Sequence, residues 1–253
     1  MYNISNTDYG QILRLLRALI GTDVYYPRAR EPPESEASAP SAGEKAKGYT
    51  MKIISFNARI WWRDNDWKER MRAMETMLNA ERPDIICFQE MLFPATNYIP
   101  KGYKRVGCVN VSHPIYVKKE LKATKHKTAV HWESCVVDRI HITNVHGKWT
   151  ESVTKELVSD LNKSLTGSWD VACGDYNVGL DRLKAEHISM ASVRELNGLQ
   201  EEDTFQNWTK PEFHGEIDHF MICGFLKIPK YRIIKGGYGV AKMSDHYPIV
   251  MEF

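Results

Sequence analysis

Several short apolar runs in this chain end on, or open with, a side chain able to do chemistry. The most concentrated is Val171-Ala172-Cys173-Gly174-Asp175-Tyr176-Asn177, where a carboxylate and a carboxamide stand two positions apart. Residues i and i+2 of an extended segment share a face, so Asp175 and Asn177 point together out of the carboxyl end of a strand. Gly174 lets the backbone bend there. Glu90, Asp175 and Asp245, with the amides of Asn57 and Asn177, make an all-oxygen donor set. Such a set suits Mg²⁺ or Mn²⁺ and suits zinc poorly, since zinc favours His and Cys. Asp245 and His246 are adjacent, so the imidazole can face a phosphate while Asp218, from a neighbouring strand, orients its far nitrogen and fixes the tautomer. That dyad is a general base for water, and with a cation polarising a phosphoryl oxygen the set can hydrolyse a phosphate ester.

The elements that must position these groups follow the same logic from Met51 onward. Lys52 to Asn57 reads as a strand ending in Asn57, and a helix follows from Asn65 or Asp66, with Trp67, Met71, Met74 and Leu78 at helical spacing and Pro83 as its stop. Asp84 to Gln89 is a strand apolar on both faces, as in a covered sheet, and it delivers Glu90. An irregular segment with Pro94, Pro100 and Pro114 leads to a β-rich region from Thr128 to Val145, ending at His146. Val153, Leu157, Leu161 and Leu165 mark a second amphipathic helix over residues 151–165, closed by Gly167. After the strand into Asp175, residues 180–200 look helical and 201–216 loop-like. Strands are expected over 216–224, 231–234 and 247–253.

The first fifty residues differ in kind. Residues 8–20 place Ile12, Leu15, Leu16, Leu19 and Ile20 on one helical face with Arg14 and Arg17 off it. Residues 27–48 are rich in Pro, Ser, Ala, Glu and Gly without aliphatic side chains, so this stretch has nothing to bury and reads as a disordered linker. The segment before Met51 is neutral, with six acidic and six basic residues, so the domain over 51–253 carries the whole net charge of +2. That balance neither demands nor excludes nucleic acid. The helix can dock on a partner or on the domain, or be an appendage dispensable for chemistry. Five cysteines without a CxxC pair point to a reducing compartment rather than a disulfide framework. No stretch has the apolar length of a membrane span or the order of a secretory signal, so a cytoplasmic, monomeric protein is expected.

In order, ISFN, CFQE, ITNVH, CGDYN, EIDH and SDHYP resemble the endonuclease/exonuclease/phosphatase superfamily, which includes deoxyribonuclease I and exonuclease III. The resemblance covers residues 51–253. It implies an α+β, four-layer sandwich in which two packed mixed β-sheets are flanked by helices. It also implies Mg²⁺ or Mn²⁺ bound by Glu90 with Asn57 and Asp245 close by, Asp175 and Asn177 positioning water and phosphate, and His246 with Asp218 as the His-Asp pair. His146 matches a histidine at that strand end in deoxyribonuclease I and the sphingomyelinases, where it serves as phosphate ligand or general acid. The LQET motif and Tyr-Asn pair of members acting on abasic DNA are absent, as is the longer last signature of the inositol phosphatases.

Nucleic acid is the expected partner. Lys122, Lys125 and Lys127 lie in a lysine-rich stretch suited to phosphates, and Trp61 and Trp62 follow Asn57 where indoles can stack on bases. The same lysines can equally form a solvated hairpin, and the indoles can cover a core edge. The sequence reading is a metal-dependent phosphodiesterase, foremost a DNA or RNA nuclease. Its rivals are an enzyme acting on a small nucleotide, lipid or sugar phosphate, and a catalytically silent nucleic-acid or protein-binding module.

Overall fold

The computed structural model describes residues 50–61, 64–92, 95–107 and 112–253. The expected helix over 8–20, the linker over 27–48, Trp62 and Cys108 lie outside the described residues. Short runs buried on both faces form the central strands of two six-stranded sheets. The first has the order β13 (Lys230–Ile233), β14 (Ile249–Glu252), β1 (Lys52–Ile60), β2 (Ile85–Met91), β4 (Ile115–Lys118), β3 (Tyr103–Val106). The second has the order β5 (Ala123–Thr128), β6 (Trp132–Val137), β7 (Ile140–His146), β8 (Trp169–Asp175), β12 (Asp218–Cys223), β9 (Ala191–Ser192). Each sheet is mixed through one parallel pair, β1 with β2 and β7 with β8, joined by a crossover helix. These helices are α1 (Trp67–Glu81) and α2 (Glu151–Ser164).

The two strand faces bury different things. In β1, Ile53 points between the sheets, while Ile54, Phe56 and Ala58 pack under Met74, Met77 and Leu78 of α1. In β8, Val171 and Cys173 point between the sheets, and Ala172 meets Leu157, Val158 and Leu161 of α2. The result is four layers, helix, sheet, sheet and helix, with each fully buried aliphatic side chain contributing about 1.5–3 kcal/mol. Cys87, Cys135 and Cys173 lie in the inter-sheet core as free thiols, as hydrophobes of this size do.

The inter-sheet layer changes character along its length. One end is aliphatic; toward the other, the inward positions become Ser55, Asn57, Gln89, Asn144, Asp175 and Asp218, all buried. Gln89 donates to Asn144 Oδ1 (2.6 Å), and Asn144 donates to the carbonyls of Phe88 (2.8 Å) and His113 (2.9 Å), so a polar bridge crosses from one sheet to the other. Buried amides are tolerated when so bonded.

Some elements differ from the sequence reading. β1 runs on to Ile60 through a register shift after Asn57, with Arg59 at φ 45°. The segment between Glu90 and Thr128 holds three strands rather than irregular chain: β4 pairs with β2 and β3 with β4, and the polar β5 is held at the edge by β6. Residues 180–200 are only briefly helical, in α3 (Leu180–Ala185) and α4 (Val193–Leu196), with β9 between them. Residues 201–216 carry the hairpin β10 (Phe205–Gln206) and β11 (His214–Gly215). Among the described residues no helix is long and apolar enough to cross a membrane.

Gly174 has φ +145°, and a Cβ there would stand 2.0 Å from the carbonyl oxygen of Val145 on the paired strand β7. Gly174→Ala is therefore expected to force β7 and β8 apart and to destabilise by more than ~1 kcal/mol. Urea denaturation checks this; an unchanged midpoint would refute the close approach.

Candidate active site

At the polar end, six elements converge. Asn57 comes from β1, Glu90 from β2, His146 from β7, Asp175 from β8 and Asp218 from β12. Asp245 and His246 come from the segment leading into β14. Asn57 Nδ2 donates to Glu90 Oε1 (3.2 Å) and Asp175 Oδ2 (2.9 Å) and lies 3.4 Å from His246 Nε2. Strict alternation would turn Glu90 away from the inter-sheet layer; its left-handed φ of 54° breaks the alternation where the carboxylate meets Asn57. Asp175 Oδ1 accepts from the Asn177 backbone N–H (2.7 Å) and its Oδ2 from Asn177 Nδ2 (2.9 Å), a local turn in which Asn177 adopts φ 56°. His246 Nδ1 bonds Asp218 Oδ2 at 2.9 Å, and His146 Nε2 stands 3.6 Å from Glu90 Oε1. Asp245 Oδ2 sits 3.3 Å from the Arg59 guanidinium.

Four supports are not legible in the sequence: Arg70, Ser244, Thr204 and Phe205. Arg70, buried in α1, donates to the carbonyls of Met243 (2.6 Å), Ala58 (2.9 Å) and Arg59 (2.7 Å) and to Asp64 (2.8 Å). It thereby ties the helix to the end of β1 and to the approach of Asp245 and His246. Ser244 Oγ donates to the Asn57 carbonyl (2.7 Å), and Thr204 Oγ1 accepts the N–H groups of Ile217 and Asp218 (both 3.0 Å). Phe205 covers His246 with ring centroids 4.9 Å apart. In sequence, Arg70 is one charge among several on α1, and its burial follows only from contacts distant in the chain.

The surrounding surface sorts the candidate contacts. Trp61 and Trp149 are exposed at this end, and Trp208, in the turn between β10 and β11, has the Arg59 and Arg70 guanidiniums each 5.2 Å from its ring. Lys122, Lys125 and Lys127 are exposed along β5, an edge strand. Ala123 pairs with Val137, which pairs with Ile140 at the start of β7, so Lys122 sits at the end of the sheet remote from His146. Lys127 lies about 13 Å further along, toward the site, because a bulge at Lys125 shortens the strand. The structure therefore does not bring the three lysines together at the cluster. Charges along an edge strand also deter pairing with another chain.

A divalent cation fits one part of the cluster. Ligand atoms of Glu90, His146 and Asp175 lie within 4.8 Å of one another, as do those of Asp175, Asp218 and His246. In the second group His246 Nδ1 is already bonded to Asp218, leaving Glu90 and Asp175 as the hard-oxygen pair. Asn57 turns its NH₂ to these carboxylates while its Oδ1 accepts from the Arg59 N–H (3.1 Å), so in this orientation it holds the carboxylates rather than a cation.

Charge balance follows from these contacts. Burial disfavours ionised Glu90, but hydrogen bonds from His146 and Asn57 prevail and hold it down at about 2. Burial likewise opposes the charged form of His246, yet Asp218, Asp175 and Asp245 raise it to about 10. His146 is raised by Glu90 and Asp175 against the effect of burial, and Asp175 is pushed up chiefly by its own burial. A histidine raised from 6.5 stabilises the fold fully below that pH, and the contribution is lost as pH rises through about 10. A glutamate lowered from 4.5 stabilises above that pH, and the contribution is lost as pH falls through about 2. In EDTA, stability is thus expected to fall between about pH 7 and 10, and Asp218→Asn to flatten that fall. Urea midpoints across this range, with an imidazole NMR titration, check it; a His246 midpoint below 7 would refute it.

No family model and no curated protein matches the chain. Solved structures do. Truncated Caenorhabditis elegans TDP2 shares 17% identity over 83% of this chain and 99% of its own, with a TM-score of 0.65. An endonuclease/exonuclease/phosphatase from Bacteroides vulgatus shares 14% over 81% and 98%, with a TM-score of 0.66. D. rerio TDP2, complexed with a single-strand DNA product, shares 15% over 80% and 98%, with a TM-score of 0.60. With two mixed sheets packed face to face, a helix outside each, and this agreement along nearly the whole length of those chains, residues 50–253 have the deoxyribonuclease I-like fold of the endonuclease/exonuclease/phosphatase proteins.

Proposed function

We propose that this chain is a Mg²⁺- or Mn²⁺-dependent phosphodiesterase that cleaves a nucleic-acid strand. The observation carrying this reading is the Asn57 amide joined to Glu90 and Asp175 beside His246, which gathers carboxylates and an imidazole from both sheets, with Glu90 and His146 partly open to solvent. The Trp208 ring with Arg59 against it, and exposed Trp61 and Trp149, offer stacking faces and a cation to an unpaired strand. The single-strand DNA product bound by D. rerio TDP2 supports the same substrate class. Free thiols at Cys87, Cys135, Cys173 and Cys223 favour the cytoplasm.

Glu90 would hold the cation, with Asp175 the nearest second carboxylate and Asp245 beside Arg59, and the ion would polarise a phosphoryl oxygen and neutralise charge on the leaving one. Asp175, oriented by Asn57 and Asn177 and raised toward neutrality, accepts the proton of the attacking water. His246, held at Nδ1 by Asp218, turns Nε2 toward Asn57 and Asp175 and stays the alternative base that the sequence reading names. His146, beside Glu90, gives a proton to the leaving oxygen, so one phosphorus–oxygen bond forms as another breaks.

Glu90→Ala and EDTA are each expected to abolish turnover, and His246→Ala to reduce it by about 10²–10⁴-fold, with Asp218→Ala less severe. The assay is metal-dependent cleavage of single- and double-stranded DNA, RNA, plasmid and bis-p-nitrophenyl phosphate, with Glu90→Ala as blank. Hydrolysis of the small ester alone would redirect the assignment to phosphorylated metabolites; full activity in EDTA would end it.

A further inference from the structure

The end of the sandwich opposite the site carries an apolar surface. Trp169 opens β8 and is half-exposed, six residues before Asp175, so about 20 Å separates this surface from the site. Its ring stacks on Phe225 (centroids 5.8 Å), and the turn after β12 presents Leu226, 89% exposed, and Ile228, 58% exposed. Leu196 and Leu199 are exposed nearby, where Asn197 Nδ2 donates to the Pro229 carbonyl (2.8 Å). Contiguous exposed apolar side chains of this size mark an interaction surface.

The chain enters the domain at this surface. Met51 exchanges backbone hydrogen bonds with Phe253 (2.7 and 3.1 Å), and the Phe253 ring lies edge-on to Phe225 (5.0 Å). Whatever precedes Thr50 is tethered beside Trp169 and Leu226. The sequence before it contains one amphipathic stretch, residues 8–20, with five aliphatic residues on one face and Arg14 and Arg17 off it. Thirteen residues are too few for a stable isolated helix in water, so this stretch gains by finding an apolar surface. The intervening twenty-nine residues 21–49 are long enough to reach on the order of 30 Å at coil dimensions, and a link of that length gives a local concentration on the order of millimolar.

We infer that residues 8–20 dock as a helix, in cis, on the Trp169–Phe225–Leu226–Ile228 surface. The site stays open, because the docked helix covers the opposite end. The inference is independent of the substrate assigned above.

Hydrogen exchange on the full chain tests it. Amides of 12–20 are expected to exchange about tenfold or more slowly than an unstructured peptide, at the population an effective millimolar tether supports. Leu226→Asp with Ile228→Asp should remove that protection. So should Leu16→Asp, which leaves every described residue unchanged and thus reports docking even if the surface variant folds poorly. Unprotected 12–20 amides in the unmodified chain would overturn the inference. So would protection that survives both changes, or protection that fades on dilution together with a dimer mass by light scattering, which would make the occupant a second copy.

Discussion

A single buried carboxamide holds the polar end of this molecule together. Asn57 sits on the first sheet with no exposure, and its NH₂ reaches Glu90 on the next strand and Asp175 on the other sheet. An amide nitrogen without partners in such a place would destabilise the fold by about 1–3 kcal/mol, and two carboxylates without donors would be worse. Each therefore requires the others, and their separation is fixed by the packing of the two sheets rather than by any loop. His246 depends on the same arrangement, since Asp175 and Asp218 face it from the second sheet while its own segment belongs to the first.

The gradient from aliphatic to polar between the sheets explains how such a cluster is tolerated. Ile53, Ile85, Ile142 and Val171 hold the sheets in register at one end. Beyond them the Gln89–Asn144 bridge lets amides replace aliphatics without leaving the layer, with Glu133 level with Asn144 and the carboxylates of Asp175 and Asp218 further on. The apolar end bears the energetic burden of folding, which frees the other end to carry charges that repel one another.

Much of this was legible because strands announce their last residues. ISFN, CFQE and CGDYN are apolar runs whose final polar residue has no reason to be there in a purely structural strand, and each side chain lies in the cluster. Less legible were features that depend on contacts distant in sequence. Trp208 reads as loop composition, yet it lies against Arg59 and Arg70 from elements more than a hundred residues earlier. Residues 180–200 carry helical spacing, but a short strand pairing with β12 divides them, a case of tertiary contact overriding local preference. The lysines of β5 were readable as a cluster, whereas their spread along an edge was a matter of register.

Arg70 bears on how the molecule opens. Its guanidinium spans the first turns of α1, the end of β1 and the segment before His246, so none of the three can detach without leaving a buried cation or its carbonyl partners unsatisfied. These pieces form one cooperative unit in native-state fluctuations, breathing together or not at all. A helix far from any reacting atom thereby sets the lifetime of the assembled cluster.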